Sequence, residues 1–260
     1  IAQISDLHIQ SDRRLLRNKH DNAGTLEKCV AQLNALKPDL VIATGDLVNT
    51  GVREEYELLR ELLAPLDAPL HLMPGNHDDR ALMREFFPGH TYLLTGNELL
   101  NYLIEAQGLR IIMLDSQIAG SDEGNVGEAQ MSWLTRLLDL APGQPTMIAL
   151  HHPPFATGTR FIDNHFCSDG PELGLLIARY PNVLRVVCGH LHRSIQVNFG
   201  GTIGCLCPST ALTFGLSFAP KSPLFQNNEP PAYNLHVWAP DKPMITHTVL
   251  LTPGAPVTLI

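Results

Sequence analysis

The chain has 260 residues, of which 44% are hydrophobic and 17% are charged, so it can bury a full core and fits one large domain. Its net charge of -8 disfavours long nucleic acid as a partner, because gripping a phosphate backbone requires a basic face. No apolar run reaches the roughly eighteen residues of a membrane helix, and five irregularly spaced cysteines disfavour a disulfide framework, so we expect a cytoplasmic protein without a membrane partner.

Short β-branched runs alternate with longer amphipathic runs through the first two-thirds of the chain. Strands are predicted over residues 2–4, 40–44, 70–73, 110–114, 147–150, 184–188, 202–206, 234–238 and 245–251. Helices are predicted over residues 23–36, 54–63, 80–86, 129–138 and 172–178. This alternation favours βαβ units and a largely parallel sheet.

After Gly189 the helical pattern disappears, and strands with Pro/Gly-rich turns follow. These later strands suggest a second, more antiparallel sheet. The fold class is therefore α/β, with two mixed sheets flanked by helices in a four-layer αββα sandwich. We expect one domain over residues 1–260, in which residues 213–232 form a loop or small cap.

Polar side chains cluster where five of the predicted strands end. They are Asp6, His8, Asp46, Asn76, His77, His151, His152, His190 and His192. Any one of these motifs could be an ordinary turn, but ligands of open α/β sheets bind beyond the carboxyl ends of the strands. Because five predicted strands each end in such residues, the sequence predicts a metal site at one edge of the sheet.

The residue types indicate which metals could bind. Carboxylate, imidazole and amide oxygen suit hard and borderline metals, here Fe, Mn, Zn or Co. A mononuclear site needs three or four ligands, whereas this sequence offers seven. Two metals roughly 3.5–4 Å apart are therefore expected, with Asp46 as the natural bridge because it follows a central strand.

The order Asp-x-His, Gly-Asp, Gly-Asn-His-Asp, His and Gly-His-x-His resembles the calcineurin-like metallophosphoesterase superfamily, whose metallo-dependent phosphatase fold is the sandwich expected here. Residues 45–49, 74–79, 151–154 and 188–192 are most similar to class III cyclic-nucleotide phosphodiesterases and glycerophosphodiesterases. The resemblance implies a binuclear-metal phosphodiesterase that hydrolyses small phosphodiesters, such as 3',5'-cAMP or glycerophosphodiesters, by a metal-bridging hydroxide. It also implies a homodimer or higher homo-oligomer.

The resemblance also assigns roles to individual residues. Asp6, His8 and His192 would hold the first metal, Asn76, His151 and His190 the second, and Asp46 both. His77 would meet the phosphate and stabilise charge or protonate the leaving group, with Asn76 also contacting the substrate. His152 would support the ligands or face the substrate.

Three other functions stay open. A phosphomonoesterase or protein phosphatase would carry arginines beside the metals, but none adjoins the first three motifs, although Arg193 follows the last. The acidic balance counts against a nuclease, and the complete ligand set counts against a non-catalytic metal-binding scaffold. Substrate selectivity is expected in the loops over residues 120–127, 155–169 and 213–232. Asp78 and Asp79 are expected to cap the helix that begins near Arg80.

Overall fold

The computed structural model describes residues 1–17, 19–94, 96, 98–158, 163, 166–219 and 222–251. The strands are β1 (Ala2–Ile4), β2 (Val41–Thr44), β3 (Leu70–Met73), β4 (Tyr102–Ala106), β5 (Leu109–Leu114), β6 (Thr146–Leu150), β7 (Val183–Cys188), β8 (Ile195–Phe199), β9 (Thr202–Leu206), β10 (Thr213–Phe214), β11 (Gln226–Asn227), β12 (Ala232–Val237) and β13 (Ile245–Leu250). The α-helices are α1 (Asn22–Leu36), α2 (Arg53–Leu63), α3 (Arg80–Phe86), α4 (Gly127–Leu140) and α5 (Gly170–Ile177). Within the described residues, no helix has the length and apolar character needed to cross a membrane.

The first sheet has the strand order β13-β12-β1-β2-β3. Strands β1, β2 and β3 run parallel, whereas β12 is antiparallel to β1. Helices α1, α2 and α3 cover one face, where Leu26, Leu59 and Met83 pack in the same buried cluster as Val41. This half of the molecule is the predicted βαβ arrangement.

The second sheet has the order β4-β5-β6-β7-β9-β8. Its four inner strands are parallel, and the edge strands β4 and β8 are antiparallel to their neighbours. Leu134 and Leu138 of α4, and Leu173 and Ile177 of α5, pack against it.

The alternation along β2 places the two sheets face to face. Val41 and Ala43 belong to the buried cluster beneath the helices, whereas Ile42 between them packs with Ile111 and Val187 of the second sheet. Successive strand residues point to opposite faces, so both faces of β2 are covered. The predicted four-layer αββα sandwich is confirmed.

The prediction that the strands after Gly189 form their own antiparallel sheet is wrong. Strands β8 and β9 extend the sheet that contains β7, and β9 pairs with β7 in parallel. Strands β12 and β13 return to the first sheet. An apolar pattern predicts that a strand is buried but carries no information about which strand it pairs with.

Residues 213–232 contain a short hairpin in which Thr213 lies opposite Asn227 and Phe214 opposite Gln226. His20, in the loop after β1, hydrogen-bonds through Nε2 to Oε1 of Gln226 at 3.0 Å. The segment is therefore attached to the first loop, and we call its residues 211–229 the cap segment. Residues 220 and 221 lie outside the described part of it.

Candidate metal centre

The parallel strands of both sheets deliver the predicted ligands to one edge. The loops after β1, β2, β3, β6 and β7 carry Asp6, His8, Asp46, Asn76, His151, His190 and His192. The structure brings these side chains into two adjoining groups. Their assignment as ligands remains a prediction.

The first group consists of Asp6, His8, Asp46 and His192, whose donor atoms all lie within 4.8 Å of one another. The Nε2 atoms of His8 and His192 are 3.1 Å apart. Oδ2 of Asp46 lies 3.6 Å from Nε2 of His8, and Oδ1 of Asp6 lies 3.5 Å from Nε2 of His192. Two imidazoles facing each other between two carboxylates form a donor set suited to a dication.

The second group is centred on the side-chain oxygen of Asn76. This Oδ1 atom is 3.1 Å from Nε2 of His151 and 3.0 Å from Nδ1 of His190. Oδ1 of Asp46 lies 3.4 Å from Nε2 of His151. Asp46 therefore presents one carboxylate oxygen to each group, which is the arrangement that a bridging ligand requires.

Hydrogen bonds to backbone carbonyls fix the tautomers of two histidines. Nδ1 of His151 donates to the carbonyl of Thr44 at 2.7 Å, and Nδ1 of His192 donates to that of Leu212 at 3.0 Å. A carbonyl can only accept, so the hydrogen of each neutral ring resides on Nδ1. The lone pair of Nε2 is available to a metal in the neutral ring. Burial would lower the pKa of His151, but Asp46 raises it to about 9, so a metal at this ring would displace a proton.

Burial shifts the pKa values of the candidate ligands, and a bound cation would stabilise their buried carboxylates. Desolvation, with a contribution from Asp46, raises the pKa of Asp6 to about 7. Burial would also raise the pKa of Asp46, but His151 and His8 hold it well below its ordinary value. Desolvation lowers the pKa of His8 to about 4, so its ring is neutral at pH 7 and can act as a ligand. The donor chemistry therefore fits bound cations.

The ligand loops are held in an unusual backbone conformation. Asp6, His8, Asp46, His190 and His192 have φ values of 53°, 44°, 50°, 74° and 53°. Non-glycine residues rarely occupy this left-handed region, and when they do they often lie at functional sites. Five of the eleven described non-glycine residues with positive φ therefore lie at the centre.

His77 lies beside the bridging carboxylate. Its backbone amide donates to Oδ1 of Asp46 at 3.0 Å, and its Nδ1 donates to the carbonyl of Asn49 at 2.6 Å. Burial alone would lower the pKa of His77, but Asp46 and the Asn49 carbonyl raise it above its ordinary value. Since Nδ1 is occupied, Nε2 remains for a substrate.

His152 is fully buried and lies next to the second group. Its Nδ1 is 2.9 Å from Oγ of Ser116, while its Nε2 is buried without a hydrogen-bond partner. Its donor atom lies within 4.8 Å of those of His151 and His190. The position suits a residue that supports the ligands, whereas His152 is not among the described residues that line the cavity where a substrate would lie.

A cavity of about 310 Å³ opens above both groups. Five of the candidate ligands and His77 line one part of it, together with Asn49, Arg17 and Asp122. These five ligands are His8, Asp46, Asn76, His190 and His192. Oδ1 of Asp122 accepts a 3.3 Å hydrogen bond from the amide of Asn76. The remaining lining side chains are apolar, namely Leu16, Leu191, Leu212, Phe214 and Leu224.

The structure corrects the sequence argument about arginines. Arg17, in a loop between the first two motifs, lines the cavity. Arg193 instead donates to the carbonyl of Phe214 and lies 3.2 Å from the carboxylate of Glu229. Arg17 and Phe214 were not predicted, because their place depends on long-range packing. Asn49 lies in the motif over residues 45–49, but no role was predicted for it. Asp122 and Phe214 do fall inside two of the loops expected to set selectivity. Residues 159–162, 164 and 165 of the loop over residues 155–169 lie outside the described residues.

The two aspartates after His77 have different roles. Asp79 caps α3 as predicted, since its side chain accepts from the amide of Leu82 at 2.8 Å. The capping role predicted for Asp78 is wrong. Its buried carboxylate accepts from the amides of Gly75 and Leu47, so it joins the ligand loops after β3 and β2.

The family model for calcineurin-like phosphoesterases matches residues 1–194. The chain therefore belongs to the calcineurin-like phosphoesterase family, and the sequence resemblance is confirmed. This fold and the Asp/His clusters support a dinuclear metal site.

Named relatives cover most of the chain. The probable glycerophosphodiester phosphodiesterase GpdQ of Arcobacter nitrofigilis is 34% identical over 95% of this chain and 92% of its own length. The 3',5'-cyclic adenosine monophosphate phosphodiesterase CpdA of Escherichia coli K12 is 32% identical over 82% of this chain and 77% of its own length.

The fold is also that of a solved dimetal phosphatase from Danio rerio. That structure is 14% identical, superposes with a TM-score of 0.72 and covers 96% of both chains. At this identity the similarity concerns the fold alone.

Proposed function

We propose that the protein is a binuclear-metal phosphodiesterase that hydrolyses small phosphodiesters, either cyclic nucleotides such as 3',5'-cAMP or glycerophosphodiesters. The observation that carries the proposal is the position of Asp46, whose two oxygens face two groups of ligands beside His77. The names of the relatives that cover most of the chain support the substrate class.

In this proposal Asp6, His8 and His192 would hold one metal, Asn76, His151 and His190 would hold the other, and Asp46 would contribute to both. Bound cations would neutralise the phosphodiester anion and lower the pKa of a water molecule. The donor set suits Fe, Mn, Zn or Co. The carbonyls of Thr44 and Leu212 orient the ligand imidazoles, so the donor atoms are already aimed.

His77 acts on the ester itself. The Asn49 carbonyl holds its Nδ1–H, which directs the ring and leaves Nε2 as the reacting atom. A protonated His77 donates to a phosphoryl oxygen or to the departing alkoxide. The Asn76 amide adds a second polar contact, and Asp122 orients that amide. The unpartnered Nε2 of His152 is buried beside His151 and His190, so His152 supports these ligands in this proposal.

The test compares hydrolysis of bis(p-nitrophenyl) phosphate with that of p-nitrophenyl phosphate. We expect turnover of the diester to exceed that of the monoester, to disappear with EDTA and to return with Mn²⁺. Asp46→Ala should lose activity together with one or both metals, measured by elemental analysis. A preference for the monoester would favour the phosphatase alternative. A protein that binds metal but turns over neither ester would be a scaffold.

We further propose that the enzyme works in the cytoplasm as a homodimer or larger homo-oligomer. Its five cysteines are unpaired and buried, which suits a reducing compartment. Light scattering of the purified chain measures the assembly, and a monomeric mass would refute that part of the proposal.

A further inference from the structure

We infer that Phe214, together with Leu16, Leu212 and Leu224, forms a binding surface for a flat apolar group of the substrate, and that this surface makes the enzyme prefer aryl or nucleoside diesters to glycerol diesters. The inference rests on the proposed function. It adds a selectivity and the residues that produce it.

We call this surface of four side chains the apolar wall. The wall lies directly beside the first ligand group. The Phe214 ring stacks on the His192 ring, with 4.2 Å between centroids and 9° between planes. Leu16 and Leu212 are buried behind it, in one cluster with Ala211. Leu224, two residues before β11, packs against the core of the second sheet and lines the same cavity. A phosphoryl group at the metals would therefore carry one ester substituent toward this wall.

The wall is held in place before any substrate arrives. Phe214 pairs with Gln226 in the β10–β11 hairpin, and its carbonyl accepts from the guanidinium of Arg193. Gln226 is in turn bonded to His20, and Arg193 pairs with Glu229. Because these contacts fix the segment, little conformational entropy is lost when a ligand binds.

The wall offers apolar contacts and no hydrogen-bond partners, and this determines which ester substituent it prefers. Leucine side chains and a phenyl ring offer no hydrogen-bond partner to the hydroxyl groups of glycerol, which would lose their water without compensation. An aromatic ring buries about 150 Å² or more and gains from contact with another ring. The polar residues Asn49 and Asp122 line another part of the same cavity.

The experiment uses two diesters with the same leaving group. Bis(p-nitrophenyl) phosphate and methyl p-nitrophenyl phosphate both release p-nitrophenolate. Only the first also carries a second aryl group, which stays on the phosphorus and can bind to the wall. The measured quantity is the ratio of their kcat/KM values in each protein, so intrinsic reactivity cancels between variants. Metal content is measured in every variant, because Phe214 touches a candidate ligand.

We expect this ratio to fall roughly tenfold in Phe214→Ala and Leu224→Ala, chiefly through KM. Leu224→Ala is the cleaner variant, because it leaves the stacking of Phe214 on the candidate ligand His192 in place. Phe218→Ala is the matched control. Phe218 belongs to the same segment, is 69% exposed and is not among the described residues that line the cavity. An unchanged ratio in both wall variants, with metals retained, overturns the inference.

A binding measurement separates this inference from the proposed function. Calorimetry compares methyl phenylphosphonate with methyl methylphosphonate, neither of which requires turnover. If the phenyl compound binds more tightly and Leu224→Ala abolishes this difference, the result supports the wall even in a protein without diesterase activity. Equal binding of both compounds refutes the wall even where diester hydrolysis is rapid.

Discussion

The carboxylate of Asp78 accepts hydrogen bonds from the backbone amide of Leu47, at 3.2 Å to Oδ1 and 3.1 Å to Oδ2. The same carboxylate accepts from the amide of Gly75 at 2.8 Å and from the hydroxyl of Tyr56 at 3.2 Å. One buried side chain therefore connects the loop of the bridging Asp46 to the loop that carries Asn76 and His77.

Asp78→Ala should lower the free energy of unfolding by about 2–4 kcal/mol, because it leaves several buried donors without an acceptor. Urea unfolding measures the loss, and elemental analysis should show reduced metal occupancy. Asp79→Ala, at the next position, removes only a helix cap and should cost about 1 kcal/mol with metals retained. Equal effects of the two substitutions would contradict the role given to Asp78.

His77→Ala should keep the metals and reduce kcat by roughly 10²–10³-fold, because a general acid and a charge-stabilising donor are lost. The loss should be larger for a diester with an alkyl leaving group than for one that releases p-nitrophenolate, which needs no proton. His247→Ala, at an exposed position on β13, is the control. If His77→Ala emptied the metal site, its assigned role would be wrong.

Arg17→Ala should raise KM for phosphate esters about threefold to tenfold with little change in kcat, because an exposed cation at the cavity rim aids binding. Added salt should reduce the difference between variant and wild type. Arg14→Ala offers a comparison from the same loop, since Arg14 is exposed and is not among the described residues that line the cavity. Identical KM values for the two variants would remove Arg17 from substrate binding.

The buried His236 should make the fold sensitive to acid. Burial lowers its pKa to about 3, whereas an unfolded histidine titrates near 6.5. The unfolded chain then binds the proton first, so stability is fully present above about pH 6.5 and is lost as the pH falls toward about 3. Each pH unit in that window costs about 1.4 kcal/mol.

His236→Gln should flatten this part of the pH profile, because glutamine can still bond to the side chains of Gln3 and Thr246 without titrating. Urea unfolding at pH 7.5 and pH 5 gives the slope. The exposed His247→Gln is the comparison, and equal slopes in the two variants would show that His236 does not govern the acid transition.

The sequence predicted which side chains gather at the edge of the sheets because each motif depends on a local feature. Asp46 follows a short apolar strand directly, and Asn76 and His77 follow another, so the end of each strand determines where these side chains lie. The positions of Arg17, Phe214 and Leu224 depend on how the loop after β1 docks against a segment about 200 residues away. No local pattern carries that information.

The strand pairing was predictable only in part for the same reason. Strand β8 has alternating Ile195, Val197 and Phe199, which is a recognisable signal that the prediction missed. That β9 pairs with β7, and β12 with β1, follows from the assembly of two sheets and not from the composition of any one strand.

The pairing of β1 with β12 has a consequence for synthesis on the ribosome. Ala2 faces Leu235, so β1 lies in the middle of its sheet and pairs with a strand that is made more than 200 residues later. Until residue 237 has emerged, one edge of β1 exposes unpaired amides and carbonyls that could join a neighbouring nascent chain. The motifs that precede β8 can gather early, but the first sheet is complete only after β12 and β13 have been made.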